Sequence, residues 1–229
     1  MFARGPHDGP ATFETGDPRL KLERANSLEA TVRLKLARSR FEGALWAAKF
    51  DRYIFGDATG RSCDEEGNCI ANDTQDLKEL VYRQGSALFR GAEAKAVIDV
   101  YESGAGTLQA TGLADYVRAT LTDNGNVPRI SPYHIGAGLT WARSEVDVGI
   151  MVKYTGRQGD VGARETPTAG SVSVDAQTAW RPFAARPGIE FALVARNLAD
   201  SVQRNAVALN KDEVLQPGRE VKLLARARF

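Results

Sequence analysis

Hydrophobic and polar residues alternate singly along most of this chain. From Glu145 to Thr155 every second position is apolar, and the positions between include Asp147 and Lys153. Successive side chains of an extended strand point to opposite faces, so this alternation predicts β-strands with one apolar face. The same alternation recurs at residues 28–36, 92–100, 133–142, 171–181, 189–196 and 220–229. With the less regular segments 41–55 and 108–121, the pattern predicts an all-β, antiparallel fold of about nine strands.

The connections between these strands alternate between short and long. The short ones are Ala37–Arg40, Tyr101–Gly106, Ala142–Glu145 and Arg181–Gly188. The long, polar, glycine-rich ones are Met1–Asn26, Gly56–Asp76, Thr122–Pro132, Gly156–Gly170 and Asn197–Pro217. Because neighbouring strands are antiparallel, all the long loops fall at one end of the sheet. Short periplasmic turns and long extracellular loops in this alternation are typical of outer-membrane β-barrels, whereas a soluble sandwich has no reason to adopt it.

Aromatic residues fall near the strand ends of the predicted apolar face. Trp141, Trp180 and Phe229 lie towards the short turns, and Tyr133 and Tyr154 lie towards the long loops. Two aromatic rows that bracket an apolar band are expected at the two membrane interfaces. The terminal Phe229 is also similar to the C-terminal signal by which the barrel-assembly machinery recognises outer-membrane barrels for insertion.

Composition narrows the possible partners and the location. Lys and Arg total 30 against 29 Asp and Glu, for a net charge of +1, which gives no reason to expect nucleic acid as a partner. The mean hydropathy is −0.32, and no apolar run approaches the roughly 20 residues of a membrane helix. A membrane barrel hides its apolar face in alternate residues, so this hydropathy is compatible with one. The first residues, Met1–His7, lack an apolar core and a cleavage site, which excludes a signal peptide and predicts that the beginning is missing.

The polar side of the strands carries many charges of both signs, which predicts ionic pairing in a barrel interior. Such charges are costly against lipid and tolerated on the lumen side. The predicted row contains Glu145, Asp147, Lys153, Asp175, Glu190, Arg196, Lys222, Arg226 and Arg228.

Two further residue groups offer candidate chemistry. Cys63 and Cys69 flank a polar stretch and suit a small disulfide loop in an oxidising compartment, with two free thiols as the alternative. The two histidines are His7, which is followed by Asp8, and His134, on the polar side near a strand end. Imidazole with carboxylate is a possible zinc or ferric-ligand site, although a single pair is a weak signal. His134 is the only strand-borne candidate base, and no motif beside it supports catalysis, so the chain is not expected to be an enzyme.

Several stretches resemble the C-terminal half of TonB-dependent receptors. These are Gly5-Pro6-His7 through Leu20 with the strand that follows, Phe89-Arg90-Gly91-Ala92-Glu93, Val127-Pro128-Arg129-Ile130-Ser131-Pro132, and Asn197-Leu198-Ala199-Asp200 before Pro217-Gly218-Arg219 and Phe229. Each motif is modest alone, and their order along nearly the whole chain is specific to the family.

The resemblance implies a 22-stranded outer-membrane barrel with a plugged lumen in a Gram-negative bacterium. It implies import of a siderophore, metal chelate or similar nutrient, energised by the TonB complex through an N-terminal plug and without a cofactor. Residues 1–229 then form the C-terminal part of the barrel domain without the plug, as a fragment or a truncated copy. The ligand contacts expected in this part are in the first long loop and the Cys63–Cys69 loop. The alternatives are a small, non-transporting outer-membrane barrel and a secreted β-sandwich adhesion module.

Overall fold

The structure is a computed structural model that describes residues 4–71, 74–122, 125–183 and 188–227. All regular secondary structure within these residues is β, and they contain no helix that is long and apolar enough to span a membrane. The strands are β1 Arg4–His7, β2 Thr12–Thr15, β3 Arg24–Leu36, β4 Ser39–Cys63, β5 Cys69–Ile70, β6 Leu77–Ser103, β7 Gly106–Leu121, β8 Gly125–Asn126, β9 His134–Ala142, β10 Val146–Thr155, β11 Ser171–Trp180, β12 Ile189–Arg196 and β13 Glu220–Ala227.

Nine of these strands, each of eight residues or more, form one antiparallel meander. Its order is β3-β4-β6-β7-β9-β10-β11-β12-β13, and each strand pairs with the next one in this order. The prediction of about nine antiparallel strands is therefore confirmed. The secreted sandwich requires two packed sheets, whereas the described strands belong to a single sheet.

The sheet is open within the described residues. β3 pairs only with β4, and β13 pairs only with β12. Every residue of β3 is exposed, because neither a further strand nor a second layer covers it. The nine long strands form part of a barrel wall and do not close it.

The alternation did not predict β2, which departs from the meander by pairing with a strand that is distant in the chain. This short strand forms a hairpin with β1 inside the first predicted loop, and it also pairs in parallel with Lys78–Val81 of β6. The position is free because β7 ends at Leu121, opposite Ala87, so the same edge of β6 continues beyond it. The second predicted loop is likewise shorter than expected, since β4 continues to Cys63.

The register aligns the alternating residues of all nine strands into two faces. Val148 lies opposite Trp141 on β9 and Thr178 on β11, so the apolar positions of neighbouring strands coincide. We call this side the apolar face and the opposite side, with Asp147 and Lys153, the polar face. Leu45 is 66% and Leu223 is 76% exposed, so none of the described residues forms a layer over the apolar face.

Buried residues concentrate at the end of the sheet that carries the long loops, here called the loop end. One cluster contains Phe13, Cys63 and Leu77, with Cys69 against it, and another contains Ala87, Ala119 and Val127. Phe50, Tyr53 and Phe89 pack on the second cluster from the polar face, with ring centroids 5.0 to 5.3 Å apart.

Two of the singled-out residues, Arg228 and Phe229, lie outside the described residues. The insertion signal predicted at Phe229 therefore stays a prediction. The other predicted girdle residues lie on the apolar face: Trp180 is 54%, Tyr133 37% and Tyr154 40% exposed. Tyr133 and Tyr154 contact each other edge to face, with centroids 5.9 Å apart.

Candidate functional site

The polar face carries an ionic network at the short-turn end. Arg181 pairs with Asp147 and, at 3.1 Å, with Glu190, whose other oxygen lies 3.6 Å from Arg226. The expected pairing of Asp147, Glu190 and Arg226 is therefore confirmed. Arg181 was missed because the sequence places it just after a strand, in a turn. The pair with Asp147 is the first cause of a raised pKa of the Arg181 guanidinium.

His134 lies on the polar face at the start of β9. Its Nδ1 is 2.8 Å from Oδ1 of Asp115, which is directly opposite on β7. This contact fixes the imidazole by one nitrogen and leaves Nε2 as the atom that could bind a ligand.

His7 and Asp8 lie elsewhere, at the end of β1 and in the turn that follows. The Nε2 atom of His7 is 3.9 Å from a carboxylate oxygen of Glu14, across the β1–β2 hairpin. The backbone carbonyl of Asp8 accepts a hydrogen bond from the amide of Ala11. No recorded contact joins either residue to His134.

Cys63 and Cys69 are joined by a disulfide and lie directly opposite each other on β4 and β5. The enclosed turn is tight: Gly67 has a φ of +86°, and a Cβ there would lie 2.5 Å from the ring of Phe13. Asn68 donates from its backbone and side chain to the carboxylate of Asp64, at 2.7 and 2.8 Å. The side-chain bond is the first cause that holds the pKa of Asp64 below its ordinary value.

Within the described residues, one group of three possible metal ligands comes together: Cys63, Cys69 and Glu79. The two sulfurs are consumed by the disulfide, and Glu79 accepts the hydroxyl of Thr59 at 2.6 Å. These three side chains therefore stabilise the fold and are not free to bind a metal. The group contains none of the predicted ligands His7, Asp8 and His134.

The long loops are joined into one layer through Glu165, in the 156–170 loop. Its carboxylate accepts the amide of Gly162 at 2.8 Å and that of Arg129, in the 122–133 loop, at 3.1 Å. Arg129 reaches on to the carbonyl of Gly56 on β4, at 3.4 Å. One carboxylate and one guanidinium thus link two loops to the top of β4.

The 197–219 loop joins the same layer through Lys211, which is 5% exposed. Its ammonium donates to the backbone oxygen of Thr166, to the Thr166 hydroxyl at 2.9 Å and to the Thr168 hydroxyl at 3.4 Å. The Thr166 hydroxyl donates to Asp212 at 2.6 Å. A buried ammonium needs such oxygen partners, so Lys211 holds this loop in place.

A cavity of about 500 Å³ lies between these loops and the tops of β4 and β6. Phe55, Leu80 and Leu121 supply apolar surface. The charged residues that line it are Lys78, Arg83, Arg129, Arg164, Lys211, Asp57, Glu79, Glu165 and Asp212. Cations slightly outnumber carboxylates, and Arg83 pairs with Asp57 at 2.7 Å. Mixed charge beside apolar walls suits a ligand with both polar and apolar parts.

The open meander, the long loops at one end and the charged polar face all agree with the family that the motifs resemble. The family described as TonB dependent receptor-like, beta-barrel, matches residues 1–198. The chain belongs to the TonB-dependent receptor family.

Solved structures share the fold of this receptor chain at low identity. The copper transporter OprC matches 93% of the chain with a TM-score of 0.77 and 13% identity. The ferric-catecholate import receptor Fiu from K12 E. coli matches 92% with a TM-score of 0.60 and 19% identity. A mutant of the ferric enterobactin receptor PfeA from Pseudomonas aeruginosa matches 95% with a TM-score of 0.63 and 14% identity.

The chain spans about a third of the length of these structures: 32%, 28% and 33%, respectively. The family is one of transport receptors, which agrees with the expectation that the chain is not an enzyme.

Sequence reasoning missed the residues that build the loop layer. Glu165, Lys211 and Arg129 lie in polar loops with many charged residues, and the sequence does not show which of these residues contact one another. The sequence carries no signal for the burial of Lys211, because this lysine meets Thr166 and Thr168 only when the 156–170 and 197–219 loops come together.

Proposed function

We propose that this chain is the C-terminal part of the barrel domain of an outer-membrane receptor that imports a siderophore, metal chelate or similar nutrient. The observation that carries the proposal is the family match over residues 1–198, on a sheet whose long loops form one layer above a charged face. The fold of the copper and ferric-chelate receptors named above supports it.

The open sheet supports the view that more strands complete the barrel. In a bilayer every backbone N–H and C=O needs a protein partner, so the free edges of β3 and β13 have to be paired. Such strands, a plug and contact with the TonB complex belong to the proposed full receptor, as does insertion by the barrel-assembly machinery.

The cavity beneath the loop layer is the proposed place of ligand capture in this part. Its arginines offer planar, bidentate donors for carboxylate or catecholate oxygens, while Phe55 and Leu80 offer apolar contact. His7, Asp8 and His134 remain proposed ligand contacts, although no recorded contact places them in one site.

Cell fractionation tests the proposal, with an antibody against this chain and comparison of boiled and unboiled samples. A heat-modifiable band far above 24.8 kDa in the outer membrane is expected for a full receptor. A heat-modifiable band at 24.8 kDa would instead indicate the small, non-transporting barrel. A product in the soluble fraction would refute both.

Uptake under metal limitation tests the ligand site. Cells in which Arg129 is replaced by Gln in the full gene should take up labelled metal chelate more slowly, with the outer-membrane level of the protein unchanged. The matched control is Arg33→Gln, because Arg33 is an exposed cation on the polar face of β3, away from the cavity. Equal uptake in both variants would contradict capture at the cavity.

A further inference from the structure

The apolar face carries a cluster of cations that import does not explain. Lys49 on β4, Arg90 on β6 and Arg118 on β7 occupy three adjacent strands. Arg90 lies directly opposite Arg118, and Lys49 lies opposite Leu88, two residues from Arg90, so all three point to the same side.

The height of this cluster along the strands corresponds to the loop-side membrane interface. Tyr116 is on the apolar face, 47% exposed, and Arg118 follows it two residues closer to the loop end. The cations therefore lie just beyond the aromatic row, where lysine and arginine on a lipid-facing surface are tolerated; at the bilayer midplane they would be strongly unfavourable.

Protein carboxylates neutralise the cluster only in part. Arg118 is 3.2 Å from Asp160, and Asp51 lies opposite Arg24 in the neighbouring row. In the described part of the chain, no ion pair is recorded for Lys49 or Arg90, and both are exposed. The surface is thus net positive where it meets the headgroup layer.

An apolar groove begins directly below the cations. Two adjoining cavities, of about 660 and 500 Å³, share a floor and walls formed by Val32, Gly43, Ala94, Ala114 and Ile135. Small side chains form its floor, while Leu45 and Tyr116 line the end nearest the cations. An extended hydrocarbon chain fits this shape, and a headgroup above it would meet Lys49 and Arg90.

We infer that this surface binds an anionic, phosphate-bearing lipid of the outer leaflet, with the phosphate at Lys49, Arg90 and Arg118 and an acyl chain in the groove. Guanidinium groups bind phosphate through paired N–H donors, and cations at a membrane surface attract anionic lipid. The inference rests on the proposed membrane location, which fractionation tests separately.

Native mass spectrometry of the full gene product, solubilised in detergent, tests the inference. The probes are phosphatidic acid and phosphatidylcholine with identical acyl chains, and glycerol phosphate as a headgroup without chains. Phosphatidic acid should be retained about thirtyfold more tightly than phosphatidylcholine, since Lys49 and Arg90 are both unpaired within the described residues and each strengthens binding of the anionic headgroup about fivefold. Glycerol phosphate should not displace it.

Variants test separately how the cation cluster and the apolar groove contribute to lipid binding. Lys49→Gln with Arg90→Gln should reduce the preference for phosphatidic acid about thirtyfold. The control Lys35→Gln with Lys153→Gln removes the same charge from the polar face, outside the groove, and should leave the preference unchanged. Ala94→Phe, which fills the groove, should weaken both lipids, whereas Val148→Phe, on the same face outside the groove, should not.

Several results would overturn the inference. These are equal retention of the two lipids by the wild type, an unchanged preference in the Lys49 and Arg90 variant, or displacement by glycerol phosphate, which would indicate a small-anion site. Heat-modifiability shows whether each variant is folded. If the double variant does not fold, Arg90→Gln alone is used in its place. A chain that inserts into membranes but shows no lipid preference refutes this inference alone.

Discussion

The contact between Trp46 and Gly91 gives the sharpest test of how this sheet is held together. Trp46 on β4 lies directly opposite Gly91 on β6, and its ring covers the glycine on the polar face. A Cβ added at Gly91 would be 2.5 Å from Cζ2, 2.6 Å from Cε2 and 2.8 Å from Nε1 of the indole. Ordinary carbon contacts are about 3.5–4.0 Å, so Gly91→Ala has to displace the ring by roughly 1 Å.

The expected cost follows from two opposing effects. Overpacking of this kind costs about 1–3 kcal/mol, whereas replacing glycine by alanine recovers about 0.4–1 kcal/mol from the unfolded chain. We therefore expect Gly91→Ala to lower the free energy of unfolding by roughly 1–2 kcal/mol. Gly112 on the neighbouring strand β7 is the matched control, because a Cβ there meets nothing within 4 Å. Gly112→Ala should be neutral or slightly stabilising.

Urea titration of the full gene product in detergent, followed by far-ultraviolet circular dichroism, measures both variants without relying on tryptophan fluorescence. A double-mutant cycle with Trp46→Ala isolates the contact, since the cost of Gly91→Ala should vanish once the ring is gone. A cost that persists without Trp46, or a Gly112→Ala variant as unstable as Gly91→Ala, would contradict steric overpacking by the indole.

Three further predictions concern the turns and the disulfide loop. Gly106→Ala should destabilise the sheet more than Gly104→Ala in the same turn, and the same urea titration measures both. Gly106 has a φ of +130°, and a Cβ there would lie 2.7 Å from a backbone oxygen. A Cβ at Gly104 would meet no atom within 4 Å. Replacing Cys63 and Cys69 together by alanine should cost about 2 kcal/mol for this short loop and speed proteolysis within it, and unchanged cleavage would contradict this. Asp64 has a lowered pKa, so its contribution to loop order should be complete above its ordinary pKa of 3.8 and lost as the pH falls below it. Amide exchange within the loop, compared between wild type and Asp64→Asn, measures this, and equal exchange at pH 6 would refute it.

The strands and their faces could be predicted from the sequence because their signal is local. Alternation with a period of two depends only on neighbouring residues, and one buried or lipid-facing side fixes the register strongly. The segment around Val148 and Ile150 was therefore assigned to the correct face. β2 was missed for the opposite reason, since its pairing with β6 joins residues far apart in sequence.

The loop layer could not be predicted because its contacts depend on the three-dimensional meeting of loops. Lys78 pairs with Glu213, and Asn210 donates to the carbonyl of Gly9 at 2.9 Å, across almost the whole length of the chain. The sequence singled out His7 and His134 because histidine is rare here. Rarity carries no information about distance, and the structure gives these two residues separate partners.

The register between β4 and β6 determines both the stability of the sheet and which residues lie on its apolar and polar faces. On β6, Arg90 belongs to the apolar face, and Glu93 and Lys95 belong to the polar face, so the sign and place of charge depend on which way each residue points. A slip of one residue between β4 and β6 would turn Glu93 and Lys95 towards lipid and remove Arg90 from the cation cluster. The indole of Trp46 fits where a glycine leaves space, and every neighbouring position on β6 carries a Cβ. The same contact that stabilises the sheet therefore discriminates against that slip, and it keeps the charged interior separate from the surface proposed to bind lipid.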